Sequence, residues 1–242
     1  MARHDGRAPG EIRPVSIIPD FILYPEGSVL ISCGNTKVIC NATVEESIPP
    51  FLKGQGKGWV TAEYNMLPRA TQTRSPRDIS KLKLNGRAAE IQRLIGRVLR
   101  SVTDLDGLGE RCITIDCDVI QADGGTRCAS ITGAFCALVI ALDKLRQQGV
   151  YADLPLYSYV AAVSVGVVHE TPVCDLDYLE DSGGEVDFNF VMDDESNIIE
   201  LQGTGEERPF SKRELDEMYL LAEGGIKQLI AAQKRAVGHL FR

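Results

Sequence analysis

Apolar and polar residues alternate in short runs through the first quarter of the chain, a period of two that marks strands with one face on a core. The pattern predicts strands over Val15–Leu23, Gly27–Cys33, Lys37–Glu45 and Trp59–Met66, with Gly34-Asn35 as a tight turn between the second and third. A polar, proline-containing loop follows from Leu67 to Arg77. The period then lengthens: Ala88, Ile91, Leu94, Ile95, Val98 and Leu99 share one side of a helix spanning Asn85–Val102. Cys112–Ile120 returns to alternation, and a helix is expected from Ser130 towards Leu145, closed near Gln148-Gly149. Further strands are predicted near Tyr159–Val168, Pro172–Tyr178, Val186–Met192 and Ile198–Gln202. A last amphipathic helix covers Lys212–Arg235, started by a capping box of Ser211 and Glu214.

The second half thus repeats the element order of the first. Thr36–Ser47 also lies without gaps over Thr171–Ser182, with four identical positions. No linker or low-complexity stretch intervenes. The expected architecture is one α/β domain of the α+β type over residues 1–242. It would be built from two similar βα halves, about 1–105 and 106–242, whose mixed sheets pack in one body.

Composition narrows the class. The chain is 44% hydrophobic and 25% charged, ordinary for a globular protein. No run approaches the roughly 18 apolar residues of a membrane span, and the N-terminus lacks a signal-peptide stretch, so a cytoplasmic, membrane-free protein is expected. Seven cysteines without a CxxC pair predict buried, reduced thiols, and three isolated histidines leave oxygen ligands for any metal. The net charge of −8 hides an asymmetry. Nine Lys or Arg face two acids between Arg69 and Arg100, among them Lys81 and Lys83 against Asp78, whereas fifteen acids face three bases between Asp175 and Glu217. One region suits a polyanion, the other a metal or plain solvation.

Three segments could carry chemistry. Gln121-Ala122-Asp123-Gly124-Gly125-Thr126-Arg127 joins a strand to a helix. Its glycines free backbone N–H groups for an anion and Arg127 adds a planar fork of donors, though Gly-Gly also suits an ordinary turn. Glu180-Asp181-Ser182-Gly183-Gly184-Glu185-Val186-Asp187-Phe188-Asn189 reads as a hairpin bringing Asp181 near Asp187, with Glu185 and Asp187 on one face. Such carboxylates suit Mg²⁺ or Mn²⁺, or a general acid of raised pKa, but equally an acidic surface turn. Arg87, in the first turn of its helix, could fork a phosphate with Arg127 or pair with Glu90 one turn on. Phe51–Trp59, with its Gly-x-Gly-x-Gly run, lacks the spacing of a nucleotide loop and reads as a hairpin loop.

Together these segments resemble the ribonuclease PH family of phosphate-dependent 3′-to-5′ exoribonucleases that trim transfer RNA precursors. The resemblance extends from Asp5-Gly6-Arg7 and Arg13-Pro14-Val15 through Phe51–Trp59, Met66–Thr71, Gly86–Ile95 and Gln121–Arg127. It continues through Cys174–Ser182 to Leu201-Gln202-Gly203-Thr204. The resemblance implies a phosphate site at Arg87, Gly125, Thr126 and Arg127. It implies a catalytic and metal-binding pair, Asp181 and Asp187, using Mg²⁺ or Mn²⁺, with inorganic phosphate as co-substrate. Arg69, Arg74 and Arg77 fall at subunit-interface and RNA-contacting positions, and a homohexamer, a trimer of dimers, is implied. The expected reaction releases nucleoside diphosphates from transfer RNA precursors and other RNA 3′ ends, and runs reversibly as nucleotide addition. A non-catalytic RNA-binding subunit of an exosome-like ring is the alternative, and a water-using nuclease a third reading.

Overall fold

A computed structural model describes residues 3–77 and 85–241; Asp78, Lys81 and Lys83 of the basic stretch lie outside them. The first sheet contains β1 (Val15–Pro19), β2 (Gly27–Cys33), β3 (Thr36–Glu45), β4 (Trp59–Met66) and β5 (Cys112–Gln121), in the order β1-β2-β3-β5-β4. All neighbours are antiparallel except β4 and β5, which run parallel. A parallel pair needs a crossover, supplied by α1 (Gly86–Ser101) and the short α2 (Leu105–Leu108). The second sheet is wholly antiparallel: β6 (Val160–Val168), β7 (Thr171–Cys174), β8 (Val186–Asp193) and β9 (Ile198–Gly205), in the order β7-β6-β8-β9. Three further helices are α3 (Thr126–Gln147), α4 (Tyr178–Ser182) and α5 (Lys212–Val237).

Strand ends depart from the sequence pattern where the backbone leaves the extended region. β1 stops at Pro19 because Asp20 turns left-handed at φ 50. The strand expected over Pro172–Tyr178 ends at Cys174, since Asp175 sits at φ 56 and Asp177 then caps α4 through the Leu179 and Glu180 N–H groups. The Thr36 and Thr171 segments both open the second strand of a two-residue hairpin, paired with Cys33 and Val168. Their paths then part, one continuing as β3 and the other turning into α4.

α3 starts four residues earlier than expected, with Gly125 itself as the N-cap at φ 64. This 22-residue helix is long and apolar enough to cross a membrane, unlike any run anticipated from the sequence, yet 94% of its apolar window is buried inside the fold. It packs on β2, β3 and β5 on one side and on β6 and α5 on the other. Coverage on both sides explains why it shows no single apolar stripe. Gly27 is required by this packing: a Cβ there would lie 1.9 Å from the Ala137 carbonyl oxygen. α1 buries its expected stripe, from Ala88 to Leu99. The chain changes sheets along α3, between Gln121 and Val160, later than the 105/106 division of the two expected halves. All seven cysteines are free and buried.

Candidate active site

One cleft of about 440 Å³ collects Arg87, Gly125, Thr126, Arg127, Asp181 and Asp187, all six expected phosphate-site and acidic residues. They arrive from four elements: the first turn of α1, the N-terminus of α3, α4 and the start of β8. Ser164, Ser182, Gly184, Asn189, Glu206 and Glu207 complete the lining, with neither histidine nor cysteine among them.

The basic side is rigidly built. Gly124 and Gly125 take φ 72 and 64, and a Cβ on Gly124 would lie 2.5 Å from the Asp177 carbonyl carbon. Only glycine permits that approach. Thr36 braces the turn twice, its hydroxyl donating to the Gly124 carbonyl (2.7 Å) and accepting from the Asp123 N–H (2.9 Å). The Thr126 hydroxyl shares a 2.9 Å hydrogen bond with Tyr64. The N-terminus of α3 therefore opens into the cleft, and helix ends of this kind favour anions. Arg127 donates to the Gln202 Oε1 at 2.9 Å and lies 4.0 Å from Glu90. Glu90 thus faces Arg127 rather than Arg87. The Arg87 guanidinium has no ion pair or hydrogen bond among the described residues, while the Asn85 side chain accepts from its backbone N–H.

On the acidic side, the expected hairpin between the two aspartate-bearing segments does not form. β6 lies between β7 and β8, and Asp181 belongs to a helix rather than a strand end. Glu185 precedes β8 and leaves the site, accepting from Arg208 Nε (2.6 Å) and the Glu170 N–H (2.8 Å). Glu206, beyond β9, takes its place in the cleft. Asp187 has a fully buried Oδ1 without a hydrogen-bond partner among the described residues. Burial, with Asp181 and Glu206 nearby, pushes its carboxyl up to about 6 against the pull of Arg127 and Arg87. Burial also raises Asp181, opposed by Arg87 and Arg127. Asp181, Asp187 with its orphaned oxygen, and Glu206 are oxygen ligands of the kind a hard divalent cation takes, although their oxygens do not all lie within ligand spacing of one another. The one group of three ligand-spaced residues found among the described residues is elsewhere: His4, Asp177 and Glu180. Arg3 and Arg7 already satisfy Glu180 there, which makes that cluster an ion-pair network.

Arg69, Arg74 and Arg77 are exposed in the loop after β4. Arg77 lines a second cavity, of about 300 Å³, that shares Arg87 with the cleft; Arg69 and Arg74 line neither. Asn189 closes the acidic segment singled out in the sequence but is assigned no role there. It lies two residues beyond Asp187 on β8, and its Oδ1 accepts the Cys128 thiol proton at 3.2 Å. That bond leaves the amide nitrogen for the cleft. Gln202 reaches Arg127 because it is the register partner of Asn189 across β8 and β9.

This architecture matches known proteins throughout. The model for the 3′ exoribonuclease family, domain 1, matches residues 11–142, and that for domain 2 matches residues 158–225. The chain belongs to this 3′ exoribonuclease family. It is 59% identical to the ribonuclease PH of Bacillus velezensis and 58% identical to that of Bacillus subtilis, each over 237 residues covering 98% of this chain and 97% of the relative. Its activity is accordingly that of a phosphate-dependent 3′-to-5′ exoribonuclease, a nucleotidyltransferase. Among solved structures, an Archaeoglobus fulgidus exosome described with RNA bound to its active site has a TM-score of 0.80 at 23% identity, covering 95% of this chain and 92% of that one. An archaeal exosome core follows at 0.77 and 21%, covering 97% and 91%. At such identities these two support the fold alone, and the fold is the expected one.

Proposed function

We propose that the cleft holds inorganic phosphate as the attacking group and trims transfer RNA precursors and other RNA 3′ ends. The single observation carrying this reading is the meeting of Arg87, Arg127 and the Gly125-Thr126 turn with Asp181 and Asp187 in one cavity. Phosphate lies between the two guanidiniums, at the N-terminus of α3. One of its oxygens attacks the 3′-terminal phosphodiester in line. A new P–O–P bond forms, the bond to the preceding nucleotide's 3′-oxygen breaks, and a nucleoside diphosphate leaves. The departing 3′-oxygen takes a proton, supplied by whichever of Asp181 and Asp187 acts as acid rather than as cation ligand. In the reverse direction the same geometry adds nucleotides.

Asp181 and Asp187, with Glu206 alongside, would hold Mg²⁺ or Mn²⁺, whose chemistry is to neutralise charge on the reacting oxygens. Arg69, Arg74 and Arg77 serve RNA contact or subunit contact. The protein works in the cytoplasm, where its seven buried thiols stay reduced, as a homohexamer composed of three dimers. Each chain is one domain of two related halves. A purely scaffolding subunit needs no pairing of two arginines with two aspartates, which weighs against that role.

The test is direct. The protein is incubated with Mg²⁺ and a transfer RNA carrying extra 3′ residues, with and without phosphate, and the products are identified. Nucleoside diphosphates formed only with phosphate are expected. Monophosphates independent of phosphate would indicate a hydrolase, and absence of cleavage a scaffold.

A further inference from the structure

Three arginines of the N-terminal segment are buried: Arg3, Arg7 and Arg13. They hold the two loops that face each other across the cleft. Arg13 forks onto Asp175, with Nε to Oδ2 at 2.9 Å and Nη2 to Oδ1 at 2.7 Å. Its backbone N–H adds a third bond to Asp175 Oδ2 at 2.7 Å. The remaining Nη1 donates to the Asp123 carbonyl, the residue that opens the Gly124-Gly125 turn. A Cβ placed on Gly125 would lie 3.1 Å from Arg13 Nη2, so the guanidinium rests directly under the turn. Asp175 continues the linkage: its carbonyl accepts from Arg3 (3.0 Å) and Arg7 (2.9 Å). Arg3 then forks onto Glu180, at 2.7 and 2.6 Å, and Glu180 immediately precedes Asp181.

We propose that Arg13, through Asp175, is a positioning residue that sets the phosphate turn against the helix carrying Asp181. The inference rests on the proposed phosphate site at Gly125-Thr126-Arg127. A guanidinium is the only side chain with a planar array of donors able to serve a carboxylate fork and a separate carbonyl together. Lysine keeps the charge but cannot hold that geometry. The strain at Asp175, left-handed without being glycine, persists because these bonds over-determine it. Loosening Arg13 frees the turn to shift away from the aspartates while Arg87 and the exposed arginine loop stay in place. Phosphate use should suffer and RNA affinity should not.

The experiment compares Arg13→Lys, Arg13→Ala and Arg127→Ala in the full-length protein. It measures kcat and KM for phosphate on a labelled RNA, RNA Kd by anisotropy, and folding by circular dichroism. Arg13→Lys should raise the phosphate KM by about 10- to 100-fold, the scale of a misplacement near 1 Å, with RNA Kd unchanged. Arg13→Ala should lose as much and recover in low-millimolar guanidinium, which can reach the vacated place through the adjoining cavity lined by Arg7, Arg13 and Gln228. An unchanged phosphate KM in folded Arg13→Lys, or a uniform fall in kcat that guanidinium does not restore, would overturn the assignment. Arg127→Ala separates the two levels. If it raises the phosphate KM while the Arg13 variants do not, the site stands and the positioning role falls. If it leaves the phosphate KM unchanged, the site reading itself fails and takes the Arg13 role with it.

Discussion

Replacing Asp187 by asparagine should make this protein more stable while removing its activity, and the gain should depend on pH. Asp187 is held in a site that disfavours its charge: burial, Asp181 and Glu206 raise its carboxyl from 3.8 to about 6. At about 1.4 kcal/mol per pH unit, that rise corresponds to about 3 kcal/mol of destabilisation once the group is ionised. The sign follows from linkage. A carboxyl raised in the fold stabilises fully below its unfolded value near 4, and that contribution is lost as pH climbs through 6. Asparagine carries no charge at any of these pH values and is nearly the same size. The difference in unfolding free energy between Asp187→Asn and the parent should therefore be near zero at pH 4 and approach about 3 kcal/mol at pH 7.5. Urea denaturation in phosphate-free buffer with chelator gives both values, and an unchanged m confirms that only stability moved. Equal stabilities at both pH values, or a variant less stable at pH 7.5, would refute the reasoning. Phosphorolysis should fall by ~10²–10³-fold, the usual scale for one electrostatic group at a reacting centre.

Other perturbations probe the remaining parts. Glu206→Gln removes one of the charges that raise Asp187, so the limb of the kcat/KM profile that Asp187 sets should move to lower pH, the acidic limb where Asp187 works ionised as a cation ligand and the basic limb where it works as the acid; an unmoved profile would separate Glu206 from Asp187. Gly124→Ala introduces a left-handed alanine and a contact at 2.5 Å with backbone, so phosphate-dependent cleavage should be lost together with about 2 kcal/mol or more of stability in a thermal melt. Gly27→Ala drives a methyl into the α3 backbone and should cost at least the ~1–3 kcal/mol of ordinary overpacking. Soluble, normally melting Gly27→Ala protein would contradict the β2–α3 contact.

How much of this was legible depended on how local each signal is. β2 and β4 run over their expected residues because alternation and bounding turns are encoded within each segment. The α1 stripe was equally plain, since one side of that helix faces solvent. α3 was anticipated four residues short because a helix buried on two sides shows no stripe, and Gly124-Gly125-Thr126 reads as turn rather than helix start. The α4 helix was masked by apolar residues that look strand-like, although Asp177 and Glu180 already carry capping-box spacing. Gln202 was beyond reach, since it meets Arg127 through the β8–β9 register and no local pattern fixes that register, and Glu206 enters the cleft from beyond β9, whereas Asn189 follows Asp187 by two residues on β8 and shares its face. The buried arginines of the N-terminal segment were equally hidden: their partners Asp175 and Glu180 lie more than 160 positions away.

The two-sided burial of α3 bears on how the chain must be made. Translation delivers this helix after the first sheet but before β6 and α5, so for the length of that delay one flank is uncovered. A nascent chain paused between Gln147 and Val160 would display a membrane-like surface to the cell, an invitation to chaperones or to aggregation. The seam between the two family-model matches, at residues 142 and 158, is therefore a poor place to divide the protein. Neither piece can close its interior alone, because both share one helix as their inner wall.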